Sequence, residues 1–149
     1  MLKLYYETEA IRVSYDEELQ LGKGEWKRSE NREELRSTIL HLLEFVKEQG
    51  IARWLSDRSH LREAVQQDLQ GVIMEFYPQL VDGPVRRMAN AVPAVILQHA
   101  ATERIIRRSG ILGNIIVRDF ETVTAAMAWL QLPYETTDTS GVGNGYGRE

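Results

Sequence analysis

Asp57, Ser59 and His60 bring the three functional groups of a hydrolytic triad into four consecutive positions, within the stretch IARWLSDRSHL. In a triad the imidazole stands between the carboxylate and the hydroxyl, where it takes the proton of the attacking oxygen. Residues this close along one chain seldom reach that order in space. We therefore predict that none of them is catalytic, and a solvated loop that follows a strand is the default interpretation.

Two further patterns have the composition of a ligand site. His99 and Glu103 are four residues apart, so they would share one face of a helix, but no third histidine or cysteine lies near them. The stretch GVGNGYG has the glycines of a phosphate-binding loop, but no helical pattern follows that would aim backbone N–H groups at a phosphate. We therefore expect no metal site and no cofactor.

Five arginines form the second candidate site. They fall into two separate segments and are Arg86, Arg87, Arg104, Arg107 and Arg108. If the segments lie together, their guanidinium groups form a patch that can hold an acidic partner or an anionic headgroup. The alternative is that they are solvated surface side chains, which is the commoner use of arginine.

The charge and composition exclude several classes of function. Eighteen basic and 22 acidic residues give a net charge of -4, so no long-range positive field attracts nucleic acid. There is no cysteine, which removes disulfides and thiolate chemistry and fits a reducing compartment. The sequence also lacks a signal-peptide pattern and any run of about 20 apolar residues, the length that spans a bilayer. We expect a cytoplasmic protein with no transmembrane segment.

The hydrophobic pattern predicts strands first and helices later. Ile11, Val13 and Tyr15 alternate with polar residues, and the period of two resumes at Leu19 and Leu21, which predicts a hairpin. The stretch KLYYE before the hairpin has the pattern of an edge strand.

A helical period begins after Ser29 or Asn31, either of which can cap the first turn, and Gly50 is suited to end that helix. Strand and helix patterns then alternate: a strand at Ile51–Ser56, a helix that stops at Pro78, a strand at Val85–Val92, a helix in LQHAATERIIRR, the strand NIIVRDF and the helix ETVTAAMAWLQL. This order predicts the α/β class, with a mixed β-sheet, an antiparallel N-terminal hairpin and flanking helices.

The domain organisation is simple. Residues 1–134 form one predicted domain, and residues 135–149 form a tail rich in glycine, serine and threonine that has too few apolar groups to order itself. The edge strand near Leu4 to Glu7 can pair with its copy in a second chain, so we expect a monomer or a weak homodimer.

Several stretches together resemble a known family. They are IRVSYDEELQLGKGEW, RWLSD, EFYPQ, GPVRRMA and VRDFETVTAAMAWL, and they resemble the small bacterial STAS-like or SpoIIAA-like proteins, which have the fold of anti-sigma-factor antagonists. The resemblance extends from Ile11 to Leu132 and rests on pattern rather than on a catalytic motif. It implies a non-enzymatic domain that binds a protein partner or, in some branches, a small or lipid-like ligand.

The same resemblance implies a candidate role for Ser59. In the phosphorylated members the acceptor hydroxyl lies two positions after an aspartate at the end of a strand, and Ser59 has that offset from Asp57. Arg58 stands where the family has another hydroxyl residue, and His60 stands where it has a glycine that permits a tight turn. Ser59 is therefore a candidate phospho-acceptor in a loop whose shape departs from the family.

Loops beyond the carboxyl ends of parallel strands form the rim where partners dock. We therefore predict a regulatory, protein-binding module whose binding surface is the interaction loop, defined as Asp57, Arg58, Ser59, His60 and Arg62. The alternative function is a carrier of a small-molecule or lipid-like ligand, with an apolar pocket between sheet and helices. An enzyme would need polar groups that converge on a cleft, and the sequence offers no convincing set.

Deletion of all residues after Tyr134 should leave the stability of the protein nearly unchanged, because the removed tail has few apolar groups to bury. The measurement is the melting temperature of the full chain and of the truncated chain. A melting temperature lowered by about 10 °C, which corresponds to roughly 3 kcal/mol or more, would show that the tail packs against the domain.

Overall fold

A seven-stranded mixed β-sheet with helices on both faces forms the fold of this protein. The structure, a computed structural model, describes residues 1–28, 31–96, 111–112 and 114–134. The strands are β1 (Lys3–Glu7), β2 (Ile11–Asp16), β3 (Leu21–Trp26), β4 (Arg53–Asp57), β5 (Arg87–Ala91), β6 (Ile111–Leu112) and β7 (Ile115–Phe120). The helices are α1 (Arg32–Gln49), α2 (Glu63–Glu75), α3 (Tyr77–Val81) and α4 (Val123–Leu130). The predicted α/β class is confirmed.

The strand order in the sheet is β1-β2-β3-β4-β5-β7-β6. The first three strands are antiparallel neighbours, and β3, β4, β5 and β7 run parallel to one another. The short β6 returns antiparallel to β7. The predicted N-terminal hairpin is therefore present, and β1 lies at an edge of the sheet, as the pattern KLYYE indicates. The parallel strands end together at one edge, which positions the interaction loop.

Each face of the sheet carries its own hydrophobic core. Successive side chains of a strand point to opposite faces, so Trp54 and Met88 face α1 and α2, whereas Leu55 and Ala89 face α4. The face toward α1 and α2 holds the larger core, to which α3 adds partly buried side chains. Coverage of both faces fits the continuous apolar run of Ile115, Ile116 and Val117 at the start of β7.

A tryptophan packed over two glycines holds β4 against β3. Gly22 and Trp54 are register partners, and a Cβ atom built on Gly22 or Gly24 would lie 2.8 or 2.7 Å from the indole ring. The two glycines therefore leave the space that the ring of Trp54 fills. In the same layer the indole N–H of Trp26 donates a hydrogen bond to Ser56 Oγ at 3.1 Å. These contacts fix the end of β4, just before the interaction loop.

The ends of the first helix agree with the sequence. Asn31 Oδ1 accepts a hydrogen bond from the backbone N–H of Glu34 at 2.8 Å, and Gly50 ends the helix in the left-handed conformation, with φ 62°. The prediction that Pro78 stops a helix needs correction, because α2 already ends at Glu75 and Pro78 lies in the first turn of α3. Proline is tolerated there because the first-turn N–H groups have no partner inside the helix.

Several predicted features lie outside the described residues. They are the helix in LQHAATERIIRR, the pair His99 and Glu103, the alternative cap Ser29 and the tail from residue 135 onward. Among the helices that the structure describes, none combines the length and the hydropathy that a membrane crossing requires.

Arg87 is a structural residue of the interior rather than a surface group. Its side chain is fully buried, and its guanidinium donates hydrogen bonds to the carbonyl oxygens of Trp129 (3.2 Å), Leu132 (2.7 Å) and Pro133 (2.7 Å). These carbonyls lie in the last turn of α4 and just after its C-terminal end, where no further helical N–H is available and a positive charge is favourable. This placement separates Arg87 from any surface arginine patch.

Replacement of Arg87 by leucine should lower the free energy of unfolding by about 3 kcal/mol, because it leaves buried carbonyl oxygens without a donor. The matched control is Arg86→Leu, since Arg86 is adjacent but exposed and should change stability by only about 0.5 kcal/mol. Urea unfolding of both variants gives the two values. Equal losses would mean that the buried guanidinium does not hold α4 on the sheet.

Candidate functional site

The interaction loop begins where β4 ends, at the edge formed by the carboxyl ends of the parallel strands. The backbone N–H of Arg58 donates to the carbonyl oxygen of Ala91 at 2.9 Å, which continues the pairing of β4 with β5 by one residue. The loop then leads into α2 through Arg62, the N-cap residue, whose backbone is extended. The loop is therefore short and is held at both ends by regular structure.

Asp57 shapes the first turn of the loop. Its side chain is 4% exposed, and its Oδ1 accepts hydrogen bonds from the backbone N–H of Ser59 at 3.1 Å and from the Ser59 hydroxyl at 2.6 Å. An aspartate that bonds the backbone two residues later forms an Asx turn, which replaces a glycine-dependent tight turn. This explains how the chain turns here although His60 stands at the position of the family's glycine.

Arg58 points into the protein. Its side chain is only 5% exposed; Nε donates to Ser56 Oγ and Nη1 donates to Gln70 Oε1, each at 3.2 Å. Burial lowers the pKa of Arg58, and the charge of Asp119 acts in the opposite direction. The side chains of Asp57 and Arg58 therefore anchor the loop, and the prediction that the interaction loop is a binding surface stays a prediction.

Gln66 of α2 secures the loop from beneath. Its amide Nε2 donates to the carbonyl oxygens of Arg58 at 2.7 Å and Leu61 at 3.3 Å, and Leu61 itself is buried in the core. Ser59, His60 and Arg62 remain exposed. The exposed part of the interaction loop is thus a three-residue tip carried by buried anchors.

The geometry at this tip differs from that of a catalytic triad. The Ser59 hydroxyl donates directly to Asp57, so the imidazole of His60 does not stand between hydroxyl and carboxylate. The Nε2 atom of His60 instead lies 4.0 Å from Glu25 Oε2, and the His60 side chain is 64% exposed. The absence of catalytic residues stays a prediction, and the contacts of Ser59 are those of a turn.

Glu25, Asp57 and His60 each bring one potential metal-ligand atom into a cluster whose atoms lie within 4.8 Å of one another. Glu25 reaches the cluster because it is the register partner of Asp57 at the end of β3. Three ligands with open positions are enough for a metal ion. However, the contacts of Ser59 with Asp57 and of His60 with Glu25 account for the cluster without one.

A row of polar side chains crosses the sheet beside Arg58. Ser56, Asn90 and Asp119 are successive register partners on β4, β5 and β7, on the face that carries Trp54 two residues earlier. Asn90 Nδ2 donates to Asp119 Oδ1 at 3.0 Å, and Asn90 Oδ1 is buried without a partner among the described residues. The polar row thus lies at the carboxyl end of the parallel strands, where α/β sheets place ligands.

The arginine patch is only partly described. Arg86 is exposed and precedes the start of β5, at the end of the sheet opposite to the interaction loop, while Arg87 is buried. Arg104, Arg107 and Arg108 lie outside the described residues. Of the five arginines, Arg86 is therefore the one for which the structure shows the exposed position that the patch requires.

A cavity of about 40 Å³ lies between the sheet and α1, α2 and α3. Apolar side chains form most of its wall, including Trp26, Trp54 and Leu80, and the polar residues of the wall are Ser56 and Arg58. Since one water needs about 10–15 Å³ of such volume, the cavity has room for about three water-sized groups. It is far smaller than the several hundred cubic ångströms that a lipid-like ligand occupies.

Sequence reasoning missed Glu25, Gln66 and Gln70 as parts of this site. Glu25 stands at the end of a strand, but only the register of β3 against β4 shows that it faces Asp57. Gln66 and Gln70 lie four residues apart on α2, so they share a face, a spacing that could have drawn attention to them. The contact between this face and the loop depends on the packing of α2 against the end of β4.

The chain was compared with protein-family models, with curated proteins and with solved structures, and none of the three comparisons finds a match.

Replacement of Gln66 by leucine should lower the free energy of unfolding by about 1–2 kcal/mol, because the carbonyl oxygens of Arg58 and Leu61 lose their donor. Hydrogen exchange of the loop amides should also become faster. Gln67→Leu is the matched control, since Gln67 is exposed and should change stability by about 0.5 kcal/mol or less. If both variants behave alike, Gln66 does not anchor the loop.

Proposed function

We propose that this protein is a cytoplasmic, non-enzymatic, STAS-like module of a bacterial cell, which regulates by binding a protein partner through the tip of the interaction loop. The single observation that supports this most is the contrast within the loop. Asp57, Arg58 and Leu61 are buried anchors, whereas Ser59 and His60 are exposed between them. Loops of this kind on a rigid scaffold are where proteins most often carry function.

The buried anchors reduce the entropy that the loop would lose on binding. Each surface side chain that becomes ordered in an interface costs about 0.5–1.5 kcal/mol, and a loop that is ordered beforehand avoids part of that cost. Here the backbone of the tip is already held by Asp57 Oδ1 and by Gln66 Nε2. His60 and Arg62 present a ring and a cation to solvent, groups that suit a polar protein surface.

The resemblance to STAS-like proteins remains part of this proposal. The mixed sheet with its antiparallel start supports the fold class that the resemblance implies, without identifying the family. Ser59 stays the candidate phospho-acceptor. A phosphate on Ser59 would remove the hydroxyl proton donated to Asp57 and would place about two negative charges beside Asp57 and Glu25. Phosphorylation would therefore open the turn and act as a switch of binding.

The carrier function is the second proposal, in a restricted form. The cavity supports a ligand of few atoms and argues against a lipid-like chain, because about 40 Å³ does not enclose one. The apolar wall and the buried Arg58 favour this function over a purely structural void.

Ser59→Asp and His60→Ala should leave the circular dichroism spectrum unchanged and should weaken partner binding by at least about tenfold, the effect of losing a few contacts at a small interface. The partner is first captured from the native cell, identified by mass spectrometry and purified. Its affinity is then measured for wild type and for each variant.

Glu48→Ala is the matched control for this experiment. Glu48 is exposed in the last turn of α1, which leads to the start of β4 at the end of the sheet opposite to the tip, so the variant should bind as wild type does. Unchanged affinity in both tip variants would move the binding surface elsewhere, and the exposed Arg86 is the next candidate. Loss of folding would show that Ser59 and His60 are structural.

A further inference from the structure

Arg58 is a buried cation without an ion-pair partner among the described residues. The guanidinium uses Nε and Nη1 in hydrogen bonds to neutral groups, on Ser56 and Gln70, while Nη2 has no acceptor in the described part of the chain. Asp119 acts on it only through space, and its carboxylate accepts the amide of Asn90 instead. Buried charges in proteins are usually paired, so a solitary one requires an explanation.

Arg87 is also buried, but acceptors within the protein contact both of its terminal nitrogens. The Arg87 guanidinium donates through both Nη1 and Nη2 to carbonyl oxygens at the end of α4, and two aromatic rings, those of Trp129 and Tyr134, lie against it. Arg58 instead donates two hydrogen bonds of 3.2 Å to neutral side chains, and it lines the cavity. The buried arginine with spare hydrogen-bonding capacity is thus one that lines the cavity.

We propose that the cavity binds a small monocarboxylate with a compact apolar body, whose carboxylate is held by the guanidinium of Arg58. A carboxylate offers the charge and the planar acceptor geometry that a guanidinium prefers. Trp26, Trp54, Ile39 and Leu80 supply the apolar wall for the body of the ligand. Asp119 is not among the residues of that wall, so it does not stand between the ligand and Arg58.

The size of the cavity limits the ligand to a short aliphatic acid of the size of acetate or propionate. Room for about three water-sized groups suits a ligand of about three to five non-hydrogen atoms. A neutral analogue would fill the same space but leave Arg58 without a counter-charge. Inorganic phosphate would supply the charge but would meet an apolar wall, at the desolvation cost of its other oxygens.

This inference deepens the carrier proposal, on which it rests, and does not depend on the protein-binding proposal. Arg58 belongs to the same loop, because its carbonyl oxygen accepts the amide of Gln66 and its neighbour is Ser59. Occupation of the cavity should therefore also change the chemical environment of the Ser59 and His60 amides. That effect is read in the protein alone, so the result is separate from the partner-affinity measurements.

The test is an NMR titration of the isotope-labelled full chain with four probes: acetate, propionate, propionamide and inorganic phosphate. We expect acetate and propionate to cause saturable shifts in the methyl groups of Ile39, Ile73 and Leu80 and in the Nε–H of Arg58. Propionamide has nearly the shape of propionate but no charge, and it should bind at least about tenfold more weakly, since a charge-assisted hydrogen bond contributes that much. Inorganic phosphate should bind similarly weakly.

Two variants separate the site from general charge effects. Arg58→Met nearly keeps the length of the side chain and should weaken propionate binding at least about tenfold while leaving propionamide binding nearly unchanged. Arg12→Met removes one exposed arginine on β2 and should bind propionate as wild type does. If Arg58→Met does not fold, the comparison of propionate with propionamide on the wild-type chain still decides the proposal.

Three outcomes would overturn the proposal. The first is equal binding of propionate and propionamide, which would mean that Arg58 contributes nothing as a cation, while a carrier of a small neutral ligand would still stand. The second is a set of shifts remote from the cavity. The third is no saturable shift at about 20 mM propionate, a concentration about twentyfold above a Kd of about 1 mM.

Discussion

Both faces of the central strand β4 are covered, and most of this structure depends on that constraint. A strand with helices on each side leaves no water for the polar groups at its end, so each must find a partner inside the protein. Ser56 is bonded to Trp26 and to Arg58, and Asp57 is bonded to Ser59. The interaction loop therefore forms part of the interior up to Arg58 and reaches solvent only at its tip.

Large side chains that pack opposite small ones cover both faces of β4. The indole of Trp54 occupies the space above Gly22 and Gly24, and on the opposite face small alanines of β5 make room for Trp129 of α4. Large side chains opposite small ones fill the two cores without forcing the strands apart. The cavity beside Arg58 lies where apolar side chains meet the polar row at the carboxyl ends of the strands.

Two buried arginines illustrate how similar burial supports different roles. Arg87 lies at the C-terminal end of α4 and stabilises the fold, because carbonyl oxygens accept hydrogen bonds from its guanidinium. Arg58 lies between the loop and the cavity, with hydrogen bonds only to neutral side chains. The guanidinium of Arg87 thus has acceptors on both terminal nitrogens, whereas Arg58 belongs to the interaction loop and also lines the cavity.

The sequence alone determined the α/β class, the N-terminal hairpin, the C-terminal cap of α1 and the position of the loop, because hydrophobic period and cap residues act over a few neighbouring positions. It did not reveal that Asn31 caps the start of α1, that Pro78 lies in the first turn of α3, that Glu25 faces Asp57, or that Arg58 and Arg87 are buried. Those features arise from register and packing between segments that are remote in the chain. The sequence of an arginine's neighbours does not by itself show whether its side chain is buried or exposed. Only the tertiary structure decided which charged groups are buried, because burial is a property of the assembled layers and of no single segment.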